Sequence, residues 1–326
     1  MAVCVPGELV QFINSGEKFI VVGHKDPDGD CVGSQLALCS ALRRMGREAA
    51  ACSAGPFERS EITPYAGRFI EAPGEKEKAG AKLIVVDCSS IERTGSLAPC
   101  LEGLPAAVID HHGMGTHAPS TPQAPVYLDP DSPSCTLLIL ALIEALGLEL
   151  SGEEAALLLF GLCTDTGFFR HLDEASAAVF EAAAKMIRTG ANPKEIFFAI
   201  YGGKSLNSRI FMGHILSRAE SLFDGRLIIS YETLEDRQRF GLEGRDSDSL
   251  YQLLQSVAGV EAIVIIRQEL VDNCTVGFRS IDKIDVAAIA ASFGGGGHKN
   301  AAGISTNGTI SDIKQKIIES FAKIFH

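Results

Sequence analysis

The chain of 326 residues contains no apolar run near the roughly 18 residues that a membrane span requires; the longest, Leu137 to Ile143, is stopped by Glu144. It also lacks a basic excess. Lys and Arg number 29 against 41 Asp and Glu, a formal net charge of −12, which excludes a long duplex DNA held by a basic surface as the expected partner. The opening MAVCVPGELV has neither a basic start nor an apolar core, so no signal peptide is expected. Nine cysteines scattered from Cys4 to Cys274 form no CxxC pair. That usage fits reduced thiols and a cytoplasmic location better than a disulfide framework. Internal repeats are absent, and the only low-complexity tract is Gly294 to Gly297.

What is present suits a folded enzyme of two domains. With 46% hydrophobic and 21% charged residues, the chain can bury a core, and its length accommodates two domains of about 150 residues. The acidity is lopsided: residues 1–190 carry 14 basic and 25 acidic side chains, whereas residues 191–326 carry 15 and 16.

The first half alternates strands and helices. The runs Phe19 to Gly23, Leu83 to Val86 and Ala106 to Ile109 are short and continuously apolar, as strands buried on both faces of a parallel sheet are. Helices are expected over Gly33 to Met45, Ser134 to Leu146, Ser151 to Cys163 (opened by a Ser151/Glu154 capping box) and Glu174 to Arg188, the last ended by Gly190. Asn192-Pro193 reads as a cap and first helical residue. After a turn at Asp224-Gly225 come strands at Arg226 to Tyr231, Ala262 to Arg267 and Cys274 to Ser280, and helices near Asp248 to Val257, Asp285 to Phe293 and Ile310 to Phe325. The expected fold is α/β: a doubly wound, mainly parallel sheet domain over 1–190, a helical linker over 191–223, and a smaller α/β domain with a mixed sheet over 224–326.

Charged chemistry gathers at the strand ends. His24-Lys25-Asp26-Pro27-Asp28-Gly29-Asp30 follows the first strand, Asp87 follows LIVV, and Asp110-His111-His112 follows AAVI. Carboxyl ends of parallel strands face one crevice, where ligands bind. Asp165, at the end of an apolar helix, could reach the same place. The first cluster is not an EF-hand, because starting it at Asp26 puts Cys31 where glycine is required and Ala37 where the bidentate Glu belongs. Nor is it a dinucleotide loop, which needs glycines where these acids stand. Any one of these acids alone would be an ordinary turn or cap residue. Carboxylates mixed with imidazole and without thiolate favour Mn²⁺ or Mg²⁺, with Co²⁺ or iron as alternatives, over structural zinc. The number of ligands suggests two divalent ions, and the reaction expected of such a pair is phosphoester hydrolysis.

HKDPDGD, the Asp after LIVV, the Asp-His-His triplet and TDTG together resemble the four motifs of the DHH phosphoesterase superfamily. Gly277-Phe278-Arg279-Ser280, Asp285-Val286-Ala287 and GGGGHKNAAG (Gly294 to Gly303) resemble its DHH-associated C-terminal domain. The resemblance spans nearly the whole chain, in order. It implies one metal on His24, Asp28 and Asp87, and a second on Asp30, Asp87, His111 and Asp165, with Asp87 bridging. It further implies that Asp110 orients the neighbouring histidines, that His112 faces the scissile phosphate, and that Arg279, Gly296, Gly297 and His298 bind the nucleotide portion of the substrate. Asp26 is left as loop structure.

Several features receive the plainer interpretation. Phe197-Phe198-Ala199-Ile200-Tyr201 reads as core or linker packing rather than a base-stacking platform, Arg93 as a loop anchor, and Cys88 and Cys163 as packing residues. His117, His171, His214 and His326 have no supporting neighbours. The compact arrangement is most similar to stand-alone enzymes that degrade very short RNAs and dephosphorylate 3′-phosphoadenosine 5′-phosphate. The expected partners are therefore short single-stranded RNA or DNA oligonucleotides or small phosphorylated nucleotides, with no membrane; a homodimer is left open. Phosphodiesterases of cyclic dinucleotides, or of their linear products, share the motifs and form the alternative. A noncatalytic nucleotide sensor is the alternative of another class.

Overall fold

The computed structural model describes residues 4–112, 124–241, 245–281 and 283–325; His117 and His326 lie outside them. The chain divides into two compact units, Met1–Gly203 and Lys204–His326.

The first unit runs α1 (Gly7–Asn14), β1 (Lys18–Val22), α2 (Gly29–Arg44), β2 (Glu48–Cys52), α3 (Glu75–Lys78), β3 (Lys82–Val86), α4 (Ala98–Leu101), β4 (Ala106–Asp110), β5 (Val126–Leu128), α5 (Cys135–Ala145), α6 (Gly152–Asp165), α7 (Ala177–Thr189) and α8 (Pro193–Tyr201). Its five strands are all parallel, in the order β2-β1-β3-β4-β5. The continuous apolar runs read as doubly covered strands behave as such. Val21, Ile84, Val86 and Ile109 pack with α2, α5 and α6 on one face. Ile20, Val22, Leu83, Val85 and Val108 pack with Leu97 and Leu101 on the other, where Cys88 is also buried. Cys163 lies in the first of these cores.

The strand order reverses between β1 and β3, so the connections from these neighbours leave in opposite directions and open a crevice at their carboxyl ends. His24 and Asp87 follow those two strands. Helix α2 begins at Gly29, four residues before the expected start, because Asp28 caps it by accepting from Cys31 N–H at 3.1 Å. The acidic motif is thus half loop and half first helical turn. The Ser151/Glu154 capping box opens α6 as expected.

Helices α2 and α6 approach closely enough to need glycine. A Cβ on Gly33 would stand 2.5 Å from the Leu157 carbonyl oxygen, and one on Gly161 would stand 2.5 Å from Thr136 Cγ2 and 3.0 Å from Asp30 Cα. This close approach brings the start of α2 beside the end of α6.

The second unit runs α9 (Leu206–Ser217), β6 (Glu220–Leu222), β7 (Leu227–Glu232), α10 (Leu234–Phe240), α11 (Ser247–Gln255), β8 (Ala262–Leu270), β9 (Asn273–Ser280), α12 (Val286–Ser292), β10 (Gly296–His298), β11 (Ala301–Asn307) and α13 (Ile310–Ala322). Its six strands lie in the order β10-β11-β9-β8-β7-β6, with β7 and β8 parallel and the remaining pairs antiparallel. The stretch 191–223 forms no separate body. Ile196 of α8 joins the core of the first unit, and Phe211, Met212 and Ile215 of α9 join a core of the second. The glycine tract is partly a strand: Gly296, Gly297 and His298 pair antiparallel with Gly303, Ala302 and Ala301.

Candidate active site

In the first unit, six residues from four chain segments converge. His24 Nε2 lies 3.8 Å from Asp28 Oδ2 and 3.4 Å from Asp87 Oδ2. His111 Nε2 lies 3.3 Å from Asp87 Oδ1, 3.3 Å from Asp165 Oδ2 and 3.7 Å from Asp30 Oδ2. Asp87 therefore stands between the two imidazoles and offers one oxygen to each. It is 1% exposed, and its backbone is left-handed at φ +58°, a conformation unusual for a non-glycine residue that turns the chain sharply at the strand end.

Both ring tautomers are set by backbone carbonyls. His24 Nδ1 donates to Lys25 O at 2.8 Å and His111 Nδ1 donates to Ser132 O at 3.1 Å. A carbonyl can only accept, so in the neutral ring, the form that ligating histidines use, it is Nε2 that carries the lone pair and faces the carboxylates. Asp87 Oδ1 and His111 Nε2 are buried without a hydrogen-bond partner among the described residues. Acceptors collected and unsatisfied in this way fit a divalent cation, since buried polar atoms are otherwise paired.

The electrostatics agree. Burial, then the charges of Asp87 and Asp165, push the Asp30 carboxyl well above its usual range. Burial, then Asp28 and Asp87, raise Asp165 to about 7. For His111, burial works to lower the pKa, but the adjoining Asp87 carboxylate, with Asp30 and Asp165, outweighs it and raises the ring to about 9. His24 is likewise held far above its ordinary value, against burial, by Asp28 and Asp87. Asp28, in contact with His24, is lowered to about 2 despite its burial. Without a bound cation the cluster retains protons to offset its own repulsion.

Asp30 has a second task invisible in the sequence. Its carboxylate accepts from Cys135 N–H at 2.5 Å and Thr136 N–H at 2.9 Å, capping α5 from another helix where Ser134 supplies no side-chain cap. Asp110 accepts from both the ring Nδ1 (2.8 Å) and the backbone N–H (3.1 Å) of His112, which leaves His112 Nε2 on a half-exposed ring. The sequence reading missed Cys31. Its thiol lies with His24 and Asp87 so that one ligand atom of each falls within 4.8 Å of the others, and it fills the place a Gly23 Cβ would take. Burial pushes that thiol up to about 12 and it donates to Gln35 Oε1 at 3.5 Å, which suits packing rather than ligation.

In the second unit, Arg279 on β9 and Gly296, Gly297 and His298 on β10 flank β11, with His298 opposite Ala301 and Ala301 opposite Arg279. Gly277, Gly303 and Gly296 stand side by side two rows along. A Cβ on Gly296 would meet nothing within 4 Å, and one on Gly303 would meet only the Val276 carbonyl at 3.5 Å. Gly296 and Gly303 leave an open floor beside a guanidinium and an imidazole. Gly303 and Gly277 were legible only as parts of longer motifs.

The remaining candidates sort by burial. Ile200 packs against the core of the first unit as expected, whereas Phe197 and Phe198 are 44% and 60% exposed; Phe197 meets Phe168 edge-on, 5.3 Å between centroids, besides its neighbours Phe198 and Tyr201. The Arg93 carbonyl accepts from Lys25 N–H at 2.8 Å and ties down the acidic loop. His214 packs on Phe240, and His171 lies beside Arg170.

Comparisons with known proteins agree with this arrangement. The chain is 31% identical over 301 residues to the bifunctional oligoribonuclease and PAP phosphatase NrnA of Thermus thermophilus, covering 92% of this chain and 88% of that protein. It is 28% identical over 308 residues to NrnA of Bacillus subtilis, covering 91% and 92%. An exopolyphosphatase-related protein from Bacteroides fragilis shares the fold, with a TM-score of 0.82 at 21% identity over 98% of this chain and 96% of that one. Residues 18–162 match the DHH family N-terminal domain and residues 224–325 match the DHHA1 domain. The chain belongs to the DHH family, and with it to the phosphoesterase hydrolases.

Proposed function

We propose that the protein is a Mn²⁺-dependent phosphoesterase that hydrolyses short single-stranded oligonucleotides and removes a phosphate from 3′-phosphoadenosine 5′-phosphate. One observation carries the chemistry: two imidazole Nε2 atoms, their tautomers set by carbonyls, face opposite oxygens of one buried carboxylate. The likeness to two NrnA proteins over about nine-tenths of their lengths supports the substrate class.

In this reading His24, Asp28 and Asp87 hold one ion and Asp30, Asp87, His111 and Asp165 the other. A pair of divalent ions, when bound, lowers the pKa of a water and neutralises charge on phosphoryl oxygens. The rest falls to side chains. Asp110 fixes the His112 ring through Nδ1, so a protonated His112 presents Nε2–H to the oxygen of the scissile phosphate that leaves. Asp30 and its cap on α5 keep the second ligand set rigid. Arg279 matches a phosphate in geometry and charge, and the bare strand at Gly296 and Gly297, with His298, gives room for the nucleotide portion.

The test is a panel of substrates with Mn²⁺: dinucleotides, longer oligomers, 3′-phosphoadenosine 5′-phosphate, cyclic dinucleotides and pyrophosphate. Turnover of the dinucleotides and of 3′-phosphoadenosine 5′-phosphate is expected. Turnover confined to cyclic dinucleotides or pyrophosphate would overturn the substrate class. Nucleotide binding without any turnover would mean a sensor.

A further inference from the structure

Arg279 is braced on its strand by a residue that no motif includes. Its guanidinium carbon lies 4.7 Å from the ring centroid of Tyr251, a residue of α11 that is 4% exposed. The same arginine donates to the Phe278 carbonyl at 3.0 Å, so one edge is tied to the backbone and one face lies on an aromatic ring. Two residues along β9, on the same side of the sheet, a Cβ on Gly277 would stand 2.2 Å from the Tyr251 hydroxyl. Glycine there is the condition for the ring to sit where it does. The Tyr251 hydroxyl makes no hydrogen bond among the described residues, so the ring face, not the oxygen, is the working part. A second cation, Arg267, lies 6.0 Å from the same ring and donates to Ser247 Oγ at 3.0 Å.

We propose that Tyr251 is a positioning residue for substrate binding. Its ring, seated against Gly277, holds the Arg279 guanidinium at one place on the sheet, with its remaining N–H groups free for an anionic oxygen group of the substrate. A flexible arginine must be immobilised when it binds, and a pre-stacked one has already lost that freedom. This rests on the reading of Arg279 as a substrate-binding residue.

The experiment is steady-state kinetics on a 5′-phosphorylated RNA dinucleotide with Mn²⁺, for Tyr251→Leu, Tyr251→Phe, Arg279→Ala and the double variant Tyr251→Leu/Arg279→Ala. Tyr251→Leu is expected to raise KM about tenfold with kcat within about twofold. Tyr251→Phe, which keeps the ring, should restore KM to within about twofold of the parent protein. In the Arg279→Ala background the Leu substitution should add nothing, since there is no guanidinium left to position. Multiplying KM effects in the double variant, or an unchanged KM in Tyr251→Leu while Arg279→Ala raises it, would overturn the positioning role alone. An unchanged KM in Arg279→Ala would overturn the substrate-binding reading beneath it. If Tyr251→Leu does not fold, Arg279→Lys decides: it keeps the charge but loses the planar face, so KM should still rise, and a parental KM would refute the proposal.

Discussion

The two units build their sites by opposite means. In the first, the site is crowded: Asp30, Asp87 and Asp110 are at most 1% exposed, and each position is set by a cap, a carbonyl or a neighbouring helix. In the second, it is made by leaving side chains out: Gly296, Gly297 and His298 are exposed on an edge strand, and a Cβ on Gly296 would meet nothing within 4 Å. A group that holds a small cation needs donors within a few ångströms and little freedom, whereas a surface that accepts a nucleotide needs area and a few directed charges. The lopsided charge follows from this, since six of the 25 acidic residues in 1–190 (Asp26, Asp28, Asp30, Asp87, Asp110 and Asp165) fall in the metal-type motifs.

Four measurements can break or sharpen that contrast. The largest effect is expected at the bridge: Asp87→Ala should lower kcat by about a thousandfold or more. Its circular dichroism should stay that of a folded protein, because the substitution removes a repelling charge from a crowded site. Retained turnover would end the bridging assignment. Next, His112→Ala should cost about a hundredfold to ten-thousandfold in kcat, the range for loss of a general acid, while Mn²⁺ affinity, read by calorimetry, stays near that of the parent; an equal loss of affinity would make His112 a ligand instead.

In the second unit the expected effect is smaller and of another kind. Gly296→Val adds a side chain where nothing stands within 4 Å, so the thermal midpoint should hardly move. KM for a dinucleotide should nonetheless rise about tenfold, and an unchanged KM would show that the floor is not used.

The smallest effect is on stability and belongs to the first unit without metal. Asp165 is raised from 3.8 to about 7 and His111 from 6.5 to about 9. Both are raised in the fold, so each contributes stability that is complete below its unfolded value and is lost as pH climbs through its folded one. Metal-stripped protein should therefore lose thermal stability between pH 5 and pH 9, and Mn²⁺ should restore more of it at pH 8 than at pH 5.5, because ligation requires deprotonated groups. A metal-free midpoint that rises over this range would contradict the crowding of charge described here.

The first site was more legible than the second, and the reason is chemical. Buried strands announce themselves as LIVV or AAVI, and an Asp or His straight after such a run stands out against apolar neighbours. Caps were equally readable, as at Ser151 and Asn192. The strands β2, β5, β10 and β11 were not: EAAAC, GGH and AAGISTN carry weak or mixed propensity, and VYL, though made of strand formers, is only 3 residues long. Tyr251 was invisible for a similar reason: SDSLYQLLQ reads as an ordinary amphipathic helix, and the ring's partner Arg279 lies 28 positions further along the chain.

By itself, then, the sequence determined the family, the α/β class and which side chains carry charge at strand ends, since these depend on local pattern and residue type. Only the tertiary structure decided that Asp28 caps a helix while facing His24, that Asp30 caps α5 from a distance, that both imidazoles present Nε2, and that the glycine tract is a strand. The Asp30 cap spans 105 positions and the His111 to Ser132 contact 21; the others join nearby residues, but their geometry too is fixed by how helices and strands pack and not by local pattern alone. The nine cysteines, all free, show the same division: their spacing excluded a framework of bridges, but only packing showed that Cys31 sits beside the metal-type cluster and has no role in it beyond filling space.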